Sequence, residues 1–121
     1  MQYVLLIYGN EKAGADASPE ETDAVMGEYL AYGEWLKGLG WQRGGEALEP
    51  TTEATTVQVR DGSTTTTDGP FAETREQLGG FYLVECDSLD DAIEAASRIP
   101  GAKSGSIEVR PVIDLSQPPQ P

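Results

Sequence analysis

The chain has 121 residues, the length of one domain with a single core, and its 38% hydrophobic residues are grouped into segments rather than scattered, which argues against disorder. Its net charge is -13, from 21 acidic and 8 basic residues. The cations form no run, so direct nucleic-acid binding is not expected, and solubility accounts for the acidity. One cysteine, Cys86, rules out an intramolecular disulfide, and the lack of any His rules out a Cys-His nucleophile.

The N-terminal segment MQYVLLIYGNE has too short an apolar run and no basic start for a signal peptide, and no segment approaches the ~20 apolar residues of a membrane span. A cytoplasmic protein is expected. Tyr3 to Tyr8 is a continuous apolar run closed by Gly9-Asn10, the mark of a strand buried on both faces. Glu11 to Ala17 reads as a polar loop.

A helix start follows: Ser18 as cap, Pro19 at the first helical position, and Glu21 completing a capping box. Val25, Met26, Tyr29, Leu30, Leu36 and Leu39 recur at helical spacing and are expected in the core, with Gly38 and Gly40 ending the helix. Trp41 to Leu48 reads as a strand with a bulge or close backbone approach at Gly44-Gly45. The segment ATTVQVRDGSTTTT reads as a hairpin turning at Asp61-Gly62.

GFYLVEC is a second double-sided strand, in which Cys86 is expected as a small buried thiol. A short helix capped by Ser88 should turn Ala92, Ile93, Ala96 and Ile99 inward before Pro100-Gly101 stops it. SIEVRPVI closes a domain spanning residues 1–113, and residues 114–121 read as a disordered Pro/Gln-rich tail.

This order gives an α+β fold: a ferredoxin-like βαβ-βαβ arrangement with an inserted β-hairpin and an antiparallel sheet carrying two helices on one face. Two helices cover one face only, yet Tyr3–Tyr8 and Phe81–Val84 are apolar on both. The other face would be a large apolar patch, covered either by a second subunit's sheet or by a ligand; a homodimer through the sheet face is the simpler answer, with a cleft between sheet and partner.

Asp68-Gly69-Pro70-Phe71 with Glu73, Leu78-Gly79-Gly80-Phe81-Tyr82, Ile99-Pro100-Gly101 and Glu108-Val109-Arg110-Pro111-Val112 together resemble the DGPF-motif group of the YCII-related domain family, over nearly the whole chain. The resemblance implies a dimeric α+β barrel of ferredoxin-like subunits, mostly without an assigned reaction. Some members are encoded beside extracytoplasmic-function sigma factors. A related branch uses a proposed His-Asp pair, which this chain, lacking His, does not have.

Asp68 therefore has two readings. As a turn residue it accepts backbone N–H bonds while Pro70 sets direction and Phe71 anchors the loop in the core. As a functional residue it is the candidate catalytic carboxylate of an intersubunit cleft. Arg75 and Arg110 would then hold an anionic ligand, and Tyr8 and Tyr82 would supply hydroxyls and an aromatic wall. The bland alternatives are an Arg75 ion pair with Glu73 or Glu76, which is preferred for Arg75, and core positions for both tyrosines.

No cofactor is implied, since the glycine pairs match no phosphate loop, and no metal site, since the acidic spacing matches no binding loop. The expected activity is small-molecule binding or cofactor-independent proton transfer, as in an isomerase or lyase. The alternative is a non-catalytic accessory or sensor protein linked to sigma-factor regulation.

Overall fold

A computed structural model describes residues 1–116. Six strands and three helices follow in the order β1 (Gln2–Gly9), α1 (Glu11–Ala15), α2 (Pro19–Gly38), β2 (Gln42–Ala47), β3 (Thr55–Arg60), β4 (Ser63–Asp68), β5 (Gln77–Glu85), α3 (Leu89–Ser97) and β6 (Ser106–Pro111). Four strands form one sheet in the order β2-β5-β1-β6, every neighbouring pair antiparallel. This is the ferredoxin-like arrangement, and β3 and β4 are its inserted hairpin, a separate two-stranded sheet. The expected tail lies, from residue 117 on, outside the described residues.

Local chemistry sets the element ends. Ser18 accepts a hydrogen bond from the Glu21 N–H at 3.2 Å and Ser88 one from Asp91 at 3.1 Å, each satisfying an orphan donor of a first helical turn. Asp61 and Gly62 both take positive φ, 52° and 78°, matching a two-residue turn to the twist of β3 and β4. The bulge expected in β2 lies between Gln42 and Gly44. Glu11–Ala15 is a short helix rather than a loop, because the Asn10 side-chain oxygen accepts from the N–H groups of both Lys12 and Ala13 and caps it.

The core lies between the helices and one face of the sheet. Tyr3 and Leu5 of β1, Val84 of β5, Tyr32 and Leu36 of α2, and Ala92, Ala95 and Ala96 of α3 are buried together with Cys86 and Ile99. Burial pushes the Cys86 thiol up, away from the reactive thiolate, as befits a packed cysteine. Around this core Trp35 stacks its edge near Trp41 and carries the Arg98 guanidinium over its face at 4.5 Å.

Several residues expected in the core are not there. Val25, Met26 and Leu30 of α2 and Leu39 just after it are 44–68% exposed, and Ile93 of α3 is 49% exposed. Helical spacing identified an apolar stripe, but only Tyr32 and Leu36 of α2 are fully covered by the sheet and α3. Phe71 is the largest departure. It is 87% exposed and anchors nothing in the core.

Alternation along the strands fixes the opposite face. Leu5 pairs with Tyr82 and Tyr3 with Val84 on the helix side, so Val4, Leu6 and Tyr8 point away from it. Across the sheet they meet Leu83, Phe81 and Leu78 on β5 and Arg110, Glu108 and Ser106 on β6. Among the described residues the helices pack on the other face, and this row of aliphatic and aromatic side chains is left partly exposed.

Candidate functional site

Several loops meet at the end of the sheet where β1 finishes and β5 begins. Hydrogen bonds tie the loops there to the sheet. The Glu11 carboxylate accepts from the Thr51 N–H and from the Thr51 hydroxyl, both at 2.7 Å. The Glu11 N–H in turn donates to the Gln77 side-chain oxygen at 3.0 Å, and the Gln77 amide donates to the Thr74 carbonyl at 2.6 Å. Ser106 reaches Glu76 at 2.9 Å. This network was not legible in the sequence, because its members lie up to 66 positions apart; Pro50-Thr51-Thr52-Glu53, which reads as the start of a helical turn, was its one local signal.

Glycines complete the frame. A Cβ on Gly80 would sit 2.8 Å from the Glu46 carbonyl oxygen and 3.4 Å from the Ala47 Cα, so β2 and β5 approach only because side chain is absent there. Gly79 takes up the register shift between β1 and β5. The Gly79-Gly80 pair is thus explained by strand packing alone.

Asp68 ends β4 directly opposite Thr55, and the hairpin around it is exposed. Its turn is closed by the backbone, with the Gly69 N–H donating to Ala54 at 2.7 Å and the Thr56 hydroxyl donating to the Gly69 carbonyl at 2.8 Å. Gly69 takes φ 100°, which favours glycine after the aspartate. Among the described residues no donor bonds the Asp68 carboxylate, so this side chain does not cap the turn as the structural reading expected.

The other candidates divide between places. Tyr8 and Arg110 both project from the uncovered face, opposite Ser106 and Val4 respectively. Tyr82 lies on the other face, packed edge-on against Tyr32 at 5.1 Å between ring centroids. The two tyrosines therefore do not line one cleft, and for Tyr82 the core reading holds. Arg75 sits exposed in the loop before β5, and the ion pair expected with Glu73 or Glu76 is not formed among the described residues. Nor does Asp68 pair with Arg75 or Arg110 within the chain.

The tyrosine cluster has a measurable consequence. Burial is the first cause holding the phenols of Tyr29, Tyr32 and Tyr82 above their ordinary value, with Tyr32 carried furthest. A phenol whose folded pKa is raised adds stability that is fully present below its unfolded value, about 10, and is lost as pH rises through the folded value. Urea unfolding followed from about pH 8 to about pH 11 is expected to show falling stability at the alkaline end. Tyr32→Phe should start about 1 kcal/mol lower, having lost its 2.8 Å bond to the Ala95 carbonyl, and should fall less steeply. An equally steep fall would assign the alkaline loss elsewhere.

Two shallow depressions lie away from these residues. One, of about 430 Å³, is lined by Lys37, Gly40, Gln42, Arg43 and Gly44; the other, of about 280 Å³, lies between α3 and β6. Among the described residues no helix is long and apolar enough to cross a membrane, and no three His, Cys, Asp or Glu side chains converge as metal ligands would.

With this geometry in hand, the chain can be set beside known proteins. It is 41% identical over 114 residues to an uncharacterized protein of Rhizobium meliloti (strain 1021), covering 93% of this chain and 92% of that relative. The model of the YCII-related domain matches residues 1–116, all of the fold described above. The chain belongs to the YCII-related domain family.

Proposed function

We propose that the protein works in the cytoplasm as a homodimer whose facing sheets enclose a cleft for a small polar ligand. The observation that carries this reading is the uncovered sheet face: Val4, Leu6, Phe81 and Leu83 form a partly exposed apolar strip on the side away from the helices. Soluble proteins rarely leave such a strip open unless something binds there. A second copy is self-complementary with it through a two-fold axis.

Tyr8 and Arg110 stand on this face, a phenol and a guanidinium flanking the apolar strip. Apolar walls with a few polar groups are the usual make-up of a small-ligand site. A guanidinium presents a planar fork suited to a carboxylate, so a small organic acid is the ligand class favoured. Proton transfer to or from such a ligand is the chemistry that a carboxylate and a phenol support without a cofactor. Glu108 stands on this face opposite Leu6, and the partner chain adds the Asp68 carboxylate, which makes no ion pair with Arg110 within the single chain.

The test is thermal melting against a panel of small organic acids, phenols and lactones, with wild type, Tyr8→Phe and Arg110→Ala. A compound held at 100 times its Kd should add about 2.7 kcal/mol to the wild type. The expected result is an organic acid that raises the wild-type midpoint and loses most of that shift with Arg110→Ala. Stabilisation of all three proteins alike would move the ligand away from this face.

A further inference from the structure

The β3–β4 hairpin is an arm without a bed. Among the described residues its two strands pack chiefly against each other, as a sheet separate from the main one. An isolated two-stranded hairpin is marginal in water, yet this one exposes Val57 and Val59 at 58% each. The register puts both valines, Thr64, Thr66 and Asp68 on one face, since Val59 pairs with Thr64, Val57 with Thr66 and Thr55 with Asp68. That face is an apolar strip ending in a carboxylate at the root.

The dimensions say what such an arm fits. Six residues per strand span roughly 20 Å, and a four-stranded sheet is about 15 Å across its strands. The arm is long enough to cross a whole sheet. The uncovered sheet face matches it in kind, an apolar strip with Arg110 at its edge, opposite Val4. Glu46 and Glu108 lie one row further along, opposite Phe81 and Leu6, and Arg43 is taken by Glu85 at 3.0 Å. Among the described residues Arg110, the cation of this face, forms no ion pair, and neither does Asp68.

We propose that the arm of each chain reaches over the β6 edge of the facing sheet of a second copy, with Asp68 of one chain meeting Arg110 of the other, so that each cleft is built from two chains. This rests on the sheet-face dimer proposed above and adds to it the identity of the group that closes the site. Tyr8 and Arg110 line the cleft from one side, and the partner's Asp68 enters from the other. The hydrogen bonds of Glu11 to Thr51 hold the root of the arm in the position from which it reaches out.

Charge reversal tests the pairing. In a two-fold dimer Asp68→Arg creates two Arg–Arg contacts and Arg110→Asp two Asp–Asp contacts. A mixed dimer of the two variants has one reversed and one native pair, both attractive. Close charge pairs at interfaces couple strongly enough that each variant alone should dimerise about 10-fold or more weakly than wild type. Sedimentation across a concentration series, with circular dichroism to confirm folding, reads each variant; native mass spectrometry reads the mixture. The expected result is two weakened homodimers and a mixture in which heterodimer exceeds its statistical share. Two variants that dimerise like wild type would overturn the arm while leaving the sheet dimer standing. Two weakened variants that do not recover on mixing would overturn the trans pairing. A monomeric wild type would remove both readings at once.

Discussion

Leu36→Ala is expected to cost 2–5 kcal/mol of folding stability, while Leu30→Ala on the same helix costs about 0.5 kcal/mol or less. Both remove the same atoms from α2. Leu36 is 0% exposed, enclosed by the β1, β5 and α3 side chains of the core, and its loss leaves a cavity that close-packed neighbours fill only partly. Leu30 is 68% exposed, and its truncation returns little apolar surface to water. At about 4 °C per kcal/mol for a domain of this size, the Leu36 variant should melt roughly 8–20 °C below wild type. Thermal and urea unfolding of the pair check this directly. Equal losses would mean that Leu30 is covered after all, by a surface of another chain.

Leu6→Glu should separate the proposed sheet-face dimer without unfolding the chain. Leu6 lies mid-strand on the uncovered face, between Phe81 and Glu108 in register and pointing away from the core. A carboxylate there stays solvated in a monomer but must be stripped of water between two sheets. An unpaired buried charge costs about 3 kcal/mol or more, and two-fold symmetry brings in two of them. The dimer should weaken on the order of 10,000-fold, since each 1.4 kcal/mol is a factor of ten. Far-UV circular dichroism should be unchanged, because Tyr3 and Leu5, which alternate with it, keep their helix-side contacts.

Much of the fold is legible in the sequence because its punctuation is local. Ser18 with Glu21, Ser88 with Asp91, and Asp61-Gly62 each specify an end or a turn within four residues, and the structure forms all of them. The double-sided strands carry the sheet, and their order carries the topology. What failed depends on neighbours that are distant in the chain. Val25 falls on the same helical stripe as Tyr32, two turns away, yet is 48% exposed because nothing packs beneath it. Periodicity reports that a face is apolar and is silent about what covers it.

The candidate site was legible only in part for the same reason. Tyr8 and Tyr82 look alike as aromatic residues in apolar strands, but pairing puts Tyr82 beside Leu5 on the helix side while Tyr8 alternates to the other. Phe71 follows a Gly-Pro turn that would suit an anchor, yet its ring is bare at 87% exposure. Asp68 was identifiable as a residue of interest, but its position on an arm, on the same side as Val57 and Val59, needed the register of β3 with β4.

The mass of the wild-type protein in solution, by sedimentation equilibrium at micromolar concentration, tests the central claim most directly. Association through the uncovered sheet face predicts twice the 13.0 kDa chain mass for wild type and the single-chain mass for Leu6→Glu. A wild type that stays at 13.0 kDa across the concentration range would contradict it.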